Sequence, residues 1–459
     1  MTRLPQPFVR RIRDLLGERE AGEFLQAYDR PRAYGLRLNP GKLNPDDIRF
    51  AGIRDRFGLR RVPWCDTGYY YDENARPGKH PYHAAGLFYI QEPSAMIAAE
   101  LLDPQPGEIV LDLAAAPGGK TTQIAARMKG RGLLVANEIH PSRAKILAEN
   151  VERMGIANAV VVNSAPGPLA ERWPEAFDRI MLDAPCSGEG MFRKDPDAAA
   201  EWSEEAVAGC AARQRDILRD AAAMLRPGGR LVYSTCTFNR EENERTVRWL
   251  LGEFPEFALL KEERLWPHRV EGEGHYAAVL EKRSLDRAPP ENKGSKSRAR
   301  SADRKAAKTD KAAPTALQLF HAFANAALPG FRLPADGVPL LFGDSLYWLP
   351  QPEGSPLSVA SLDGLRTPRP GLHLGDAVKG RFEPSHALAM ALDASAAACA
   401  ADYPADSPEV AAYLRGESLA AGSEVKGWGL LTADGWPLGW FKASDRQLKN
   451  RLPKGLRML

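Results

Sequence analysis

A chain of 459 residues, 44% hydrophobic and 26% charged, is too long for one hydrophobic core and has the composition of a soluble globular protein, so two to four domains are expected. Its net charge of +3 is too small to argue nucleic-acid binding alone, and its five cysteines, Cys65, Cys186, Cys210, Cys236 and Cys399, contain no CxxC pair, which argues against a disulfide framework and a structural zinc site. The start lacks the apolar core of a signal peptide and no stretch is apolar over a bilayer's thickness, so no membrane partner is expected and a reducing cytoplasm is the default compartment.

Pro7 to Tyr28 sets Phe8, Ile12, Leu15, Leu16, Phe24 and Leu25 on one helical stripe broken near Gly17, which predicts a helical hairpin packed by one face. Tyr34 to Asn39 alternates like a strand, and Arg60 to Cys65 with Tyr69, Tyr70 and Tyr71 reads as irregular β structure. A small α/β module over residues 1–90 fits. The aromatics near Arg60, Arg61, Arg76 and Lys79 either stack on RNA bases or close a small core. Gln91, Glu92 and Ser94 then bring polar groups to the bridge into the next domain, toward a ligand or as a capping loop, before a short helix over 95–102.

Ile109 to Thr121 reads as strand, turn, helix. Four apolar residues around Asp112 suit a strand buried on both faces, and Ala114, Ala115, Ala116, Pro117, Gly118 and Gly119 leave a backbone that a ligand can approach. The helix that follows aims free N–H groups and a positive end at whatever sits above the strand. The next strand, Leu133–Asn137, ends at Glu138, where such folds place an acid that grips ribose hydroxyls. Further strands at 159–162, 179–182 and 230–234 alternate with helices at 141–154, 204–225 and 241–254, which predicts a mostly parallel, doubly wound sheet binding ligands beyond its carboxyl edge.

Two of those strands end in chemistry. The fourth runs into Asp183-Ala-Pro-Cys-Ser-Gly-Glu-Gly190 and the fifth into Ser234-Thr-Cys-Thr-Phe238, so both bring a cysteine to the ligand edge. These two blocks, with Tyr89-Ile-Gln-Glu-Pro-Ser94, Asp112-Leu-Ala-Ala-Ala-Pro-Gly-Gly-Lys-Thr121 and Glu241-Glu-Asn243, resemble the RNA (cytosine-5)-methyltransferases of the Nol/Nop/Sun type, and among them the bacterial RsmF-like ribosomal RNA enzymes.

The resemblance covers residues 86–280 most specifically. It implies a Rossmann-like class I core over 91–281 that binds S-adenosyl-L-methionine at Ala114–Lys120, Glu138, Arg143, Asn163, Ser164 and Asp183. Cys236 would be the nucleophile, Cys186 would assist release, and Asp183 and Lys120 would complete the catalytic set. The chemistry explains the residue types: a thiolate adding to C6 of cytosine makes C5 enamine-like and able to take a methyl group. An acid near N3 would stabilise the charge that builds up, and a pKa raised by burial would let Asp183 donate a proton. One departure stands at the end of the third strand, where relatives carry an adenine-binding acid and this chain has Asn163 and Ser164. Phe192-Arg-Lys-Asp-Pro196 puts two cations beside the target base, where they would meet phosphate or solvent.

Lys282 to Lys311 holds eleven Lys or Arg against four Asp or Glu, a net of +7, and reads as the basic part of a flexible linker over 282–313. Beyond it, residues 317–327 are helical in pattern, 339–349 strand-like, and 372–374, 428–431 and 438–441 are short strands, with Gly435 at a hairpin. This extension, 314–459, resembles a β-rich PUA-like RNA-binding region with a basic end at Lys442, Arg446, Lys449, Asn450, Arg451, Lys454 and Arg457. The partner implied is ribosomal RNA, free or in the assembled small subunit, with the enzyme as a monomer. The alternatives are a tRNA substrate, a non-catalytic ribosome assembly factor, and a methyltransferase acting on nitrogen or protein, which would need no paired thiols.

Overall fold

The computed structural model describes residues 4–284, 313–422 and 425–458. Most of the expected linker, residues 285–312, lies outside the described residues. Near the start, β1 (Gly35–Leu38), β2 (Arg60–Val62), β3 (Cys65–Tyr70) and β4 (Phe88–Ile90) form an antiparallel sheet in the order β2-β3-β1-β4. Tyr69 and Tyr70 are buried, so they close the core and offer no stacking platform. Arg60 lies over the Tyr70 ring and pairs with Glu271. Helix Gln6–Gln26 breaks at Gly17, where φ is 75°, and folds back so that the Phe8 and Phe24 rings meet at 6.3 Å, the hairpin that the broken stripe predicted. It packs elsewhere, however: Phe8, Ile12 and Phe24 bury against Phe192 and Phe238, just beyond the two cysteines, and against Trp202 and Trp266.

β5 (Ile109–Asp112), β6 (Leu133–Asn137) and β7 (Ala159–Val162) are buried at every position, as strands covered on both faces must be. Side chains alternate between two cores. Leu111, Val135 and Val160 enter one, and Val110, Leu134 and Val161 the other. With β8 (Phe177–Asp183), β9 (Leu225–Thr235), β10 (Phe257–Leu265) and β11 (His275–Lys282), the sheet runs β10-β11-β9-β8-β5-β6-β7. β5 to β9 are parallel and β11 is antiparallel to both neighbours. This is the Rossmann-like doubly wound sheet expected. Strand order reverses between β5 and β8, which opens the ligand crevice at their carboxyl ends.

The C-terminal extension holds two sheets. β12 (Gly337–Phe342), β13 (Ser345–Pro350), β14 (Leu372–Val378) and β15 (Arg381–Pro384) form one. The stretch read as one strand over 339–349 is thus a hairpin, turned at Gly343, where φ is 60°. β16 (Ala400–Tyr403), β17 (Leu419–Ala420), β18 (Gly427–Ala433), β19 (Trp436–Ser444) and β20 (Gln447–Asn450) form the other, in the order β16-β18-β19-β20-β17. Leu372–Leu374 therefore lies in a different sheet from the Trp428 and Leu438 strands. Asp434 and Gly435 join β18 to β19 with φ of 49° and 84°, the paired positive values of a tight hairpin.

Two joints tie the extension back. Leu36 of β1, with Phe50 and Phe57 of the helix Ile48–Phe57, shares a core with Trp436 and Phe441 of β19 and Tyr413 of the helix Pro408–Arg415. Residues 366–369 also lie along edge strand β7: Val161 N donates to the Arg369 carbonyl at 2.7 Å and Asn163 N to that of Arg366 at 2.8 Å. The buried Arg369 guanidinium donates to the carbonyls of Ala159 (2.9 Å) and Ile156 (2.6 Å). Removing it orphans two carbonyls, one of them fully buried, at roughly 1–3 kcal/mol each. Arg369→Ala should lower unfolding stability by about 2–4 kcal/mol in urea titration, and a loss below about 0.5 kcal/mol would mean the clamp is idle.

Candidate active site

The register of β8 and β9 pairs Asp183 with Ser234, so the chain leaves both strands side by side. Cys186 and Cys236 follow within three residues, and their Sγ atoms are 3.3 Å apart. Two buried carboxylates clasp the loops in opposite senses. Glu242, beyond Cys236, accepts from Ser187 N (3.0 Å), Ser187 Oγ (2.5 Å), Gln214 Nε2 (2.8 Å) and Asn239 Nδ2 (2.7 Å). Glu189, beyond Cys186, accepts from Phe238 N (2.7 Å), Asn239 N (2.9 Å) and Trp202 Nε1 (3.1 Å). Both glutamates stood inside the sequence blocks, but nothing in their spacing announced that they face each other's loop. The hydrogen bond with Cys236, burial, and the nearby charges of Cys236 and Glu242 hold the Cys186 thiol protonated, well above the usual thiol range.

Asp183 sits partly exposed at the crevice. Lys120 Nζ donates to its Oδ2 and Ser234 Oγ to its Oδ1, both at 2.7 Å. Desolvation pushes its carboxyl up, but the Lys120 ammonium and these two bonds outweigh it and hold the group below the ordinary carboxylate range. The expected raised pKa is therefore overturned: Asp183 is a carboxylate that accepts, and the positive charge beside it belongs to Lys120.

The small-residue turn leads from β5 straight into the next helix. No side chain caps helix Gly119–Met128, so its first N–H groups are left without intrahelical partners above β5. Arg37, fully buried on β1, braces the turn by donating to the Gly119 carbonyl (3.2 Å) and Thr122 Oγ1 (2.6 Å) while Gln91 accepts from its Nε. Thr121 Oγ1 donates to Asp112 Oδ2 at 2.6 Å, and burial pushes Asp112 up to about 7. Glu138 stands at the end of β6, accepts from His140 N at 2.9 Å and faces Arg143 at 3.4 Å. Arg143 also donates to the Ala116 carbonyl at 2.8 Å, so it staples the turn from outside. Asn163 Nδ2 donates to the carbonyls of Glu138 (2.7 Å) and Ile139 (2.9 Å), which leaves its amide oxygen as the acceptor end. Ser164 Oγ donates to the neighbouring Ala165 carbonyl. This turn, the acid on β6 and the Asn163 amide oxygen fit a cofactor with an amino-acid tail, ribose and adenine.

Arg193 departs from expectation. It pairs with buried Glu273 at 2.7 Å and donates to the carbonyls of Ala27 and Gly272, so it holds loops together and leaves Lys194 as the exposed cation. Gln91, Glu92 and Ser94 serve structure: Glu92 Oε1 accepts from Glu273 N (2.9 Å) and Ser94 Oγ from Gly274 N (3.1 Å). A cleft of about 950 Å³ lies at the opposite end of the sheet, among Asp103, Lys129 and Asn158 that precede β5, β6 and β7, and neither cysteine lines it.

Family models match four stretches: 16S rRNA methyltransferase RsmB/F over residues 99–281, the N-terminal domain of 16S rRNA methyltransferase RsmF over 4–93, the RsmF rRNA methyltransferase first C-terminal domain over 322–392, and the methyltransferase RsmF PUA domain over 400–458. The chain is similar to the ribosomal RNA small subunit methyltransferase F of Shewanella loihica, 36% identical over 99% of this chain and 96% of that one. That of Pectobacterium atrosepticum is 34% identical over the same shares. Among solved structures, a methyltransferase homolog protein from Pyrococcus horikoshii is 32% identical with a TM-score of 0.55, covering 61% of this chain and 95% of its own. NSun6 from the same organism, solved with SFG, is 22% identical with a TM-score of 0.55 over 61% of this chain and 99% of its own, a likeness of fold.

The glutamate clasp makes a prediction of its own. Glu242→Ala removes one acceptor from each of four donors, two of them on Ser187, so it should cost about 3 kcal/mol and free the cysteine loops. Thiol-alkylation rates at Cys186 should rise well before global unfolding. Unchanged rates would mean that the loops hold their places without Glu242.

Proposed function

We infer, from the premise that the chain belongs to the RsmF family of 16S ribosomal RNA methyltransferases, that Cys236 attacks C6 of a cytosine and carries the base covalently while its C5 is methylated. The chain is an S-adenosylmethionine-dependent RNA (cytosine-5)-methyltransferase, and its substrate is 16S ribosomal RNA. The observation that carries the covalent reading is the pair of sulfurs 3.3 Å apart beside the Asp183–Lys120 pair, at the switch point above the small-residue turn.

Bound S-adenosylmethionine would supply a methyl group already made electrophilic by its sulfonium, so the protein's task is to make C5 a nucleophile. Residues Ala114 to Gly119 and Glu138 would hold its amino-acid and ribose ends, with Asn163 at the adenine. Asp183, ionised, accepts a hydrogen bond from the cytosine amino group and fixes the base. The Lys120 ammonium offsets the negative charge that gathers on the ring as the thiolate adds. Cys186 donates its S–H toward the Cys236 sulfur before attack, which favours the thiolate. Once Cys236 is bonded to carbon, the interaction that most strongly kept Cys186 protonated is gone. Cys186 then gives its own proton to water and, as a thiolate, takes the C5 proton, directly or through a water, as the C6–S bond breaks and Cys236 leaves as thiolate.

RNA contact at the far end is supported by β19 and β20, whose register sets Lys442 opposite Lys449, while Lys442 and Arg451 lie over the Trp428 ring. Whether the assembled subunit or naked RNA is methylated is decided by supplying both, with tRNA as a third arm.

Cys186→Ala should slow turnover about 10²–10⁴-fold and accumulate a protein–RNA adduct on denaturing gels, while Cys236→Ala should form none. Methyl transfer by both variants without any adduct would exclude the covalent route. Glu138→Ala should weaken S-adenosylmethionine binding about tenfold or more in calorimetry, as loss of hydrogen bonds to a charged acceptor implies, and an unchanged Kd would remove Glu138 from the ribose.

A further inference from the structure

His275, at the start of β11, stands against Asp183 with its Nε2 3.7 Å from Oδ1, its side chain only 2% exposed and Nε2 without a hydrogen-bond partner among the described residues. Its place is built rather than incidental. The last ladder pair between β11 and β9 is Tyr276 with Thr235, so the register carries His275 to the position opposite Cys236. The turn before it is pinned at three points: Glu92 holds Glu273 N, Ser94 holds Gly274 N, and Arg193 pairs with Glu273. Gly274 has φ of 99°, and a Cβ there would meet the Phe238 ring at 2.6 Å, so only glycine lets the chain turn this tightly against the Cys236 loop. The Gln-Glu-Pro-Ser block, which otherwise touches no reacting group, thereby delivers an imidazole to the catalytic carboxylate.

We propose that His275 is a positioning residue for methyl transfer, whose Nε2–H closes on Asp183 Oδ1 when the base enters and holds the carboxylate toward the cytosine amino group. This rests on the reading of Asp183 as the base-binding acid. Burial and the Lys120 charge push His275 down to about 3, so it is neutral and acts on Asp183 as an N–H dipole. The opposite tautomer would turn a lone pair on a carboxylate, which is unfavourable and leaves the buried nitrogen orphaned. The charged and titratable groups facing Asp183 are Lys120 from helix Gly119–Met128, Asp112 from β5 and His275 from β11, with the Ser234 hydroxyl from β9. Of these, Lys120 and Ser234 already bond the two carboxylate oxygens, and His275 is the further donor in reach.

The test is methyl transfer to small-subunit ribosomal RNA by the full chain from about pH 3 to pH 9, a span that reaches below the ordinary carboxylate range and past imidazole titration. His275→Phe keeps a flat ring without the N–H. It should lower kcat about tenfold, the worth of one hydrogen bond to a charged group, with KM for S-adenosylmethionine unchanged. Asp183, stripped of a donor, binds its proton more tightly, so the acid limb of kcat moves to higher pH. His275→Gln, which restores a donor, should recover most of the loss. Ser94→Ala loosens the turn without entering the crevice and should shift the limb the same way by less; it decides the matter should His275→Phe unfold. An acid limb left in place by His275→Phe, or by Ser94→Ala in its stead, or a Gln variant as slow as the Phe variant, would overturn the proposal. Asp183→Asn separates the two claims: if it is inactive while His275→Phe is normal, only the His275 role falls, and if it is active, the reading of Asp183 falls and takes His275 with it.

Discussion

Everything in the site follows from one pairing, β8 beside β9 in parallel register. Because Asp183 and Ser234 are register partners, the residues that follow them leave the sheet at the same height, and two cysteines 50 positions apart in sequence meet at hydrogen-bond distance. A slip of one residue would turn each strand's side chains to the other face and part the sulfurs. The fully buried runs Ile180–Leu182 and Leu231–Tyr233 resist that slip, since each would exchange its places in the two opposite cores.

A pair of loops at a sheet edge has little apolar surface with which to hold itself, and the rest of the chain supplies it. Helix Gln6–Gln26 covers Phe192 and Phe238, the glutamate clasp satisfies backbone amides of both loops, and Arg37 fixes the start of the helix above β5. On the other flank, residues 366–369 pair with β7 and complete a sheet edge next to the expected adenine position. Both terminal regions thus brace the crevice from opposite sides, and they meet each other in a shared core around Phe57, Tyr413 and Trp436.

The electrostatics divide the labour among groups whose types would not have assigned it. Asp183 and Glu242 are both acids in a crowded interior, yet Lys120 draws one below the ordinary carboxylate range while burial raises the other. The thiols are likewise unequal, because Cys186 lies against both Cys236 and the Glu242 charge and keeps its proton. On the proposed reading Cys236 would be a nucleophile beside a protonated neighbour and Asp183 a base-binding carboxylate beside a fixed cation, the arrangement that covalent activation of a pyrimidine ring requires.

By itself the sequence determined the central sheet and its ligand edge. Alternating apolar runs of the right length leave few other ways to bury both faces, and a turn of alanines and glycines can serve little but close approach. It also determined which side chains reach that edge, since Asp183, Cys186, Cys236, Lys120 and Glu138 all follow strand ends. The tertiary structure alone decided matters that depend on partners distant in sequence. It took helix Gln6–Gln26 away from its neighbouring sheet, turned Arg193 from phosphate to Glu273, split the C-terminal extension into two sheets and brought His275 to Asp183. An apolar stripe shows that a helix will be covered and a carboxyl shows that it will titrate. Which surface does the covering, and which charge sets the titration, is fixed only when the chain has folded.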